Sequence, residues 1–291
     1  MSPPISRREL IHGAGRIALA STGAGLLPCA LGHSTASAAR LSQGYVSRQR
    51  ALYWTRLGQQ RVRCDLCPRL CEIENGARGY CGVRENSDGD LWTVAYANPS
   101  AVQIDPVEKK PFFHVLPGTK TLSVATAGCN LHCKSCLNWE AARARPEETY
   151  NHELPASAAV ARAESYSCPS IACSYVEPIV FIEYMAEIGR QCRERPLLHL
   201  MHSAGYIRTA PLADICQVLD AACIDLKGFS EEFYDDQADG SLLPVKETLL
   251  GLRRHGVHTE VVNLLIPGKN DDPETLRSMA RWMVDQLGPD V

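Results

Sequence analysis

The stretch Thr126-Ala-Gly-Cys-Asn-Leu-His-Cys-Lys-Ser-Cys-Leu-Asn-Trp139 comes at the end of a run typical of a β-strand, residues 121–127. Its three cysteines, Cys129, Cys133 and Cys136, have the spacing C-x3-C-x2-C. An iron–sulfur cubane normally takes four thiolates, so a set of three would leave one iron open to a small ligand. The spacing alone also fits a structural zinc knuckle or chance clustering in a cysteine-rich chain.

The composition is that of a folded protein with many cysteines. The chain has 291 residues, of which 45% are hydrophobic, 22% are charged and 13 are cysteines. A formal net charge of -3 gives no reason to expect nucleic acid or an anionic membrane as the main partner. The cysteines cluster at metal-ligand spacings, unlike those of a small secreted disulfide scaffold. We therefore expect a metal-loaded protein assembled in a reducing compartment.

Residues 1–40 have the features of an export signal. Ser6-Arg-Arg-Glu-Leu-Ile11 precedes a weakly apolar run, residues 17–31, and then the cleavage-like pattern Ala36-Ser-Ala38. This order resembles a twin-arginine signal. The run is too short and too rich in glycine for stable membrane insertion. We expect cytoplasmic assembly with export to the periplasm, and the alternative is a disordered extension of a cytoplasmic protein.

Residues 41–120 form a predicted cysteine-rich module. A short helix is expected between residues 40 and 60, followed by Cys64-Asp-Leu-Cys67-Pro-Arg-Leu-Cys71 and then Cys81. Glycines at 76, 79 and 82 give the backbone freedom that converging thiolates need. Four such cysteines fit a tetrahedral zinc site or a second iron–sulfur cluster. The remaining alternative is a set of reduced cysteines packed as small hydrophobic residues.

From residue 121 to residue 291 the chain repeats a unit of strand and helix. Strands are predicted at 121–127, 170–175, 197–202, 222–226 and 257–266, and helices include 156–165, 181–193, 212–219 and 273–287. Asp272 stands near the expected N-cap of the last helix. This alternation predicts an α/β fold with a partial parallel barrel, preceded by the small cysteine-rich module.

Several polar residues fall at the carboxyl ends of these predicted strands, where barrel enzymes carry their active sites. They are Glu177, Ser203, Asp225 and Lys227, in addition to Cys129. We expect these side chains to face one mouth of the barrel.

Several motifs occur in an order that resembles the radical S-adenosylmethionine (SAM) enzyme of the AmmeMemoRadiSam system. That family is similar to the activating enzymes of pyruvate formate-lyase. The motifs are Cys64-x2-Cys67-Pro, Gly79-x-Cys81-Gly-Val-Arg-Glu-Asn86, Asp105-Pro-x-Glu-Lys-Lys-Pro111, Pro117-Gly118, Gly128-Cys-Asn130, Asp225-Leu-Lys-Gly-Phe-Ser-Glu-Glu-Phe-Tyr234 and Leu265-Ile-Pro-Gly268.

The resemblance implies a cofactor set and roles for the predicted residues. Cys129, Cys133 and Cys136 would ligate a 4Fe-4S cluster, whose fourth iron would bind the amino and carboxylate groups of SAM. Glu177 would lie near the methionine amino group, and the carboxylate would lie by a second set of residues: Ser203, Asp225 and Lys227. A reductant such as flavodoxin or ferredoxin would supply the electron that yields a 5′-deoxyadenosyl radical. The substrate would be a small molecule or a protein.

The chain departs from this family's pattern at three points of the expected mouth. Relatives usually have Gln where Leu137 stands and Asn where Val176 and Ala204 stand. Relatives also continue into a sixth strand beyond the position of Val291, so we expect a C-terminally shortened barrel or a different closure.

Three functions are compatible with these observations. The first is a radical SAM oxidoreductase or transferase acting on an unidentified substrate. The second is an activase that places a glycyl radical on a partner enzyme. The third is a non-catalytic relative that binds metal or transfers electrons.

Overall fold

The computed structural model describes residues 41–291, and the predicted export signal in residues 1–40 lies outside the described residues. All described residues belong to one compact unit. Among them, no helix combines the length and the apolar character that crossing a bilayer requires.

The N-terminal part of the described chain consists of short strands. They are β1 Leu41–Gln43, β2 Gln49–Arg50, β3 Trp54–Gly58, β4 Arg61–Cys64, β5 Glu72–Ile73, β6 Arg84–Ser87 and β7 Asp90–Thr93. Strands β3, β4 and β5 form one antiparallel sheet, and β2, β7 and β6 form another.

The predicted short helix between residues 40 and 60 is wrong, because this segment forms strands. Gln59 and Gln60 both have positive φ, 49° and 58°, and they connect β3 to β4. Two such residues are typical of a type I′ hairpin turn, whose twist matches the flanking strands. The hairpin therefore occupies residues where irregularly spaced apolar side chains suggested helical periodicity.

The larger sheet has six strands, and five of them are parallel. The remaining strands of the described chain are β8 Ala101–Pro106, β9 Lys120–Ala125, β10 Tyr150–His152, β11 Ser170–Cys173, β12 Leu198–Ser203, β13 Ala221–Asp225 and β14 His258–Val262. Their order in the large sheet is β14-β13-β12-β11-β9-β8, with β8 antiparallel to β9. β10 lies outside this sheet and pairs with β1.

Helices connect the parallel strands, as the alternating pattern predicts. They are α1 Trp139–Arg143, α2 Ala156–Ser165, α3 Ile182–Arg193, α4 Thr209–Cys216, α5 Glu231–Phe233, α6 Leu242–Arg254 and α7 Pro273–Leu287. The bounds expected for α2 and α7 are confirmed. Asp272 caps α7 by accepting a hydrogen bond of 2.8 Å from the Thr275 N–H, which satisfies one otherwise unpaired donor of the first turn.

This mixed α/β architecture with a parallel sheet is consistent with a partial barrel. The strand order contains no contact between β14 and β8 in the described residues. A domain division at residue 120 stays a prediction; β8 lies before that point and pairs with the first parallel strand. C-terminal shortening likewise stays a prediction.

One apolar cluster joins the sheet to the segment that follows β8. Val107, Phe112 and Val115 are buried against small and aliphatic residues of the parallel strands, including Ala172 and Leu200. Burying apolar side chains of this size contributes roughly 1.5–3 kcal/mol each. The segment that contains the Glu-Lys-Lys motif is therefore part of the sheet's packing.

Candidate active site at the carboxyl ends of the strands

Residues at or beyond the carboxyl ends of all five parallel strands line one cavity of about 240 Å³. This is slightly less than the roughly 300–1,000 Å³ typical of small-molecule pockets. The structure brings together in it all the residues that the sequence suggested for the cluster and for SAM: Cys129, Cys133, Cys136, Glu177, Ser203, Asp225 and Lys227. A larger cleft of about 800 Å³ lies mostly between residues 76–82 and 142–148, but no parallel strand ends there.

The cysteine loop is anchored through its backbone to residues 234–238. The N–H of His132 donates to the carbonyl of Ala238 at 3.2 Å, and the N–H of Lys134 donates to that of Gln237 at 2.9 Å. Burial, followed by the charge of Glu177, raises the pKa of Cys129. A metal that binds this thiol must displace its proton, and thiolates are the ligands that iron–sulfur clusters use. The donor set therefore fits such a cluster.

Glu177 is 3% exposed and connects two strand ends. Its Oε1 accepts hydrogen bonds from the Ser203 hydroxyl at 2.6 Å and from the Ile179 N–H at 3.2 Å. Its Oε2 accepts one from the Ala204 N–H at 2.9 Å. Burial raises the pKa of Glu177, while these donors oppose the shift. Because Oε2 accepts only one of these bonds, it keeps capacity for another donor.

Asp225 lies between a lysine and a histidine side chain at the end of β13. Lys227 Nζ is 2.8 Å from Oδ2, and His202 Nε2 is 3.0 Å from Oδ1. Burial opposes ionisation of Asp225, but Lys227 and His202 outweigh it and hold its pKa well below the usual range. The sequence analysis missed His202, although the residue stands at the last position of a predicted strand and directly precedes Ser203.

Tyr175 shapes the same mouth from the end of β11. Its backbone has a positive φ of 67°, and its carbonyl accepts a hydrogen bond of 2.6 Å from the side-chain amide of Asn138 in the cysteine loop. Its hydroxyl donates to Asp105. The Lys110 ammonium lies 2.9 Å from Asp105 and 3.3 Å from the centre of the Tyr175 ring. A residue in a sparsely populated backbone conformation is thus fixed by its surroundings.

The other predicted cysteine set lies at a separate place. Cys64, Cys67, Cys71 and Cys81 line a second, smaller cavity together with Arg84. In the part of the chain that the structure describes, no group of three or more His, Cys, Asp or Glu side chains is arranged closely enough to hold a metal ion. This holds for both cysteine sets.

The chain is similar to known proteins over most of its length. The family model described as "Radical SAM superfamily" matches residues 123–282, which is more than half of the chain. An uncharacterized protein of Methanocaldococcus jannaschii, MJ0808, is 37% identical over 238 residues, 82% of this chain and 71% of that protein.

Among solved structures, one described as TYW1 with a lysine-pyruvate adduct bound is 15% identical. The aligned region covers 62% of this chain and 70% of that protein's chain, with a TM-score of 0.42. Because the family model spans most of the parallel sheet and the cysteine loop, the protein belongs to the radical SAM superfamily and is an enzyme of that class, whose members use a 4Fe-4S cluster, SAM and an electron donor.

Proposed function

We propose that this enzyme binds its 4Fe-4S cluster through Cys129, Cys133 and Cys136, binds SAM in the adjoining cavity, and abstracts a hydrogen atom from a small-molecule or protein substrate. The observation that carries the proposal is that the three thiols share one cavity with charged side chains from two further strand ends. When bound and reduced, such a cluster supplies the electron that splits SAM into methionine and a 5′-deoxyadenosyl radical.

The chain's own groups are suited to hold the two ends of methionine. Glu177 offers the acceptor capacity left on Oε2 to the ammonium group. Lys227 offers a cation to the carboxylate, and Asp225 positions that cation by pairing with it at 2.8 Å. Ser203 contributes through Glu177, since its hydroxyl donates to Oε1. These roles of binding and orientation are what a protein contributes around a radical cofactor.

The wall of the cavity is apolar at the three positions that depart from the family pattern. Leu137, Val176 and Ala204 all line the cavity, and Leu137 is 91% exposed. Side chains without exchangeable protons exclude water and protect a reactive intermediate. We propose that the substrate approaches across this wall and that its contacting part is apolar.

We further propose that the chain is a member of the AmmeMemoRadiSam group and takes its electron from a flavodoxin or a ferredoxin. Support for the group comes from the ordered motifs along the chain and from Arg69, Lys110 and Asp105, which belong to or adjoin those motifs and make contacts around the mouth and the cysteine loop. Support for an electron donor comes from membership of the superfamily.

The decisive experiment is SAM cleavage by the anaerobically reconstituted full chain. After reduction with dithionite, chromatography should detect 5′-deoxyadenosine, formed slowly without substrate. A variant with alanine at positions 129, 133 and 136 should form none. Cys168→Ser is the matched control, because Cys168 is a buried thiol outside both cavities. If cluster-loaded protein neither binds nor cleaves SAM, the enzyme function is wrong and a non-catalytic metal-binding function replaces it.

A further inference from the structure

The cysteines of the N-terminal segment meet in a cavity that the proposed reaction does not use. Cys64 ends β4, Cys67 and Cys71 lie in the loop after it, and Cys81 precedes β6. All four line the same enclosed space of about 20 Å³. A buried site needs roughly 10–15 Å³ to hold one water molecule. The cavity as it stands therefore has room for one ion, and an iron–sulfur cluster requires the four thiols to move apart.

A buried guanidinium lies against this cavity with donors left over. Arg84 is 1% exposed and lines the cavity. Its Nη1 donates to the Leu52 carbonyl at 3.0 Å, and its Nη2 lies 3.0 Å from Glu183 Oε1. Its Nε has no hydrogen-bond partner, and the contact of Nη2 with Glu183 is an ion pair without hydrogen-bond geometry. An unsatisfied buried donor costs about 1–3 kcal/mol, more when it is charged.

Sulfur atoms are the most numerous side-chain acceptors around this cavity. Four of the side chains around the cavity that carry an acceptor are its cysteines; the others are Tyr80 and Asn130, and the Asn130 amide oxygen also has no hydrogen-bond partner. A thiolate is a much better acceptor than a thiol, because hydrogen bonds to ionised groups are stronger. Thiolates become abundant in a buried site when a metal binds them. The unpaired Arg84 N–H is therefore an observation, independent of the cysteine spacing, that points to a metal.

We propose that Cys64, Cys67, Cys71 and Cys81 bind a second metal centre of soft, thiolate-preferring character, a zinc ion or an iron–sulfur cluster, with Arg84 donating to its sulfur ligands. Both occupants share the same four-thiolate chemistry. Groups that hydrogen-bond to metal ligands commonly change metal affinity or activity by 10–100-fold when they are removed. Arg84 is accordingly a positioning residue of this centre.

The second centre also fixes the loop that carries Cys129. Arg69, between two of the cysteines, donates through Nε to the Asn130 carbonyl at 2.6 Å and through Nη2 to the Asp239 carbonyl. Gly128 packs so closely on the Cys81 carbonyl that an added Cβ would lie 2.5 Å from its oxygen. The metal would therefore hold the segment that supports one side of the active-site loop.

The test is metal analysis of the full chain in which Cys129, Cys133 and Cys136 are alanine, so that the active-site cluster is absent. We expect either about one zinc per chain or about four irons with matching sulfide. Each of these results supports the second centre and identifies its occupant. A folded variant that holds neither metal overturns the proposal. Because metal analysis needs no SAM cleavage, the proposal of a second metal centre can hold even if the proposed function is wrong.

Further variants locate the site. Adding Cys64→Ser or Cys81→Ser should remove the remaining metal, whereas Cys216→Ser, a buried thiol elsewhere, should not. Arg84→Met should speed metal loss to a chelator at least tenfold, and Arg84→Lys should restore part of the difference. Equal loss rates in wild type and Arg84→Met contradict the role of Arg84. If the alanine variant does not fold, native mass spectrometry of the wild type decides, since a single cluster and no further metal overturns the proposal.

Discussion

Replacing Gly128 with alanine should destabilise the protein more than any ordinary glycine-to-alanine change in a loop. Gly128 has φ +93°, and a Cβ built there lies 2.5 Å from the Cys81 carbonyl oxygen and 2.7 Å from a Val83 methyl group. The backbone conformation costs an L-residue roughly 1–2 kcal/mol. Forcing an extra carbon into a packed site costs roughly 1–3 kcal/mol more. Together they predict a loss of about 2–5 kcal/mol.

The measurement is equilibrium urea unfolding of the metal-free chain, with Gly118→Ala as the matched control. Gly118 has φ +78° and nothing within 4 Å of the position of an added Cβ, so it reports backbone strain without the clash. Its cost should stay near roughly 1–2 kcal/mol. If the two variants differ by less than about 0.5 kcal/mol, which is the usual range for neutral surface changes, the close contact between the cysteine loop and Cys81 does not exist in solution.

Three further outcomes are expected. Glu177→Ala should weaken SAM binding about ten- to a hundredfold, because a charged hydrogen bond is worth roughly 1.5–3 kcal/mol. Calorimetry on cluster-loaded protein measures the affinity, and an unchanged value would show that Glu177 does not contact SAM. The Asp225 pKa is lowered in the folded state, so the stabilisation from its charge is present above the unfolded pKa of about 3.9 and is lost as the pH falls further. Asp225→Asn should therefore make the free energy of unfolding depend less on pH in this acid range. An unchanged pH dependence would contradict the pairing. Lys110→Met breaks a buried ion pair with Asp105 and should lower the free energy of unfolding by about 3–5 kcal/mol. Lys109, whose side chain is 57% exposed, is the control, and Lys109→Met should lower it by under about 1 kcal/mol. Equal losses would refute the burial argument.

The regular part of the fold was predictable because its signals are local. Proline at position 273 with Asp272 before it defines the start of α7, and both bounds of that helix agree with the prediction. The strands before the cysteine loop and before Glu177 are short apolar runs that end at polar residues. Each of these patterns depends on residues within one element, so one sequence suffices to find them.

The missed features depend on residues that are distant in the chain. His202 becomes notable only because Asp225 on the neighbouring strand lies 3.0 Å away. Arg84 looks like an ordinary surface residue until Glu183, on α3, pairs with it in the interior. The antiparallel strand β8 is likewise defined by its pairing with β9. Spacing along one chain carries no information about such pairs.

The contacts of Arg69 limit how this protein can be recombined with its relatives. The carbonyls of Asn130 and Asp239, held by one guanidinium, belong to two adjacent loops of the α/β region that are distant in the chain, while Arg69 lies in the cysteine-rich segment. A chimera that joins residues 41–120 of one homologue to the rest of another must reproduce both backbone positions and the glycine at 128. The two segments should therefore be inherited and exchanged as one unit, and an excised fragment that begins near residue 121 should make a poor starting point for engineering.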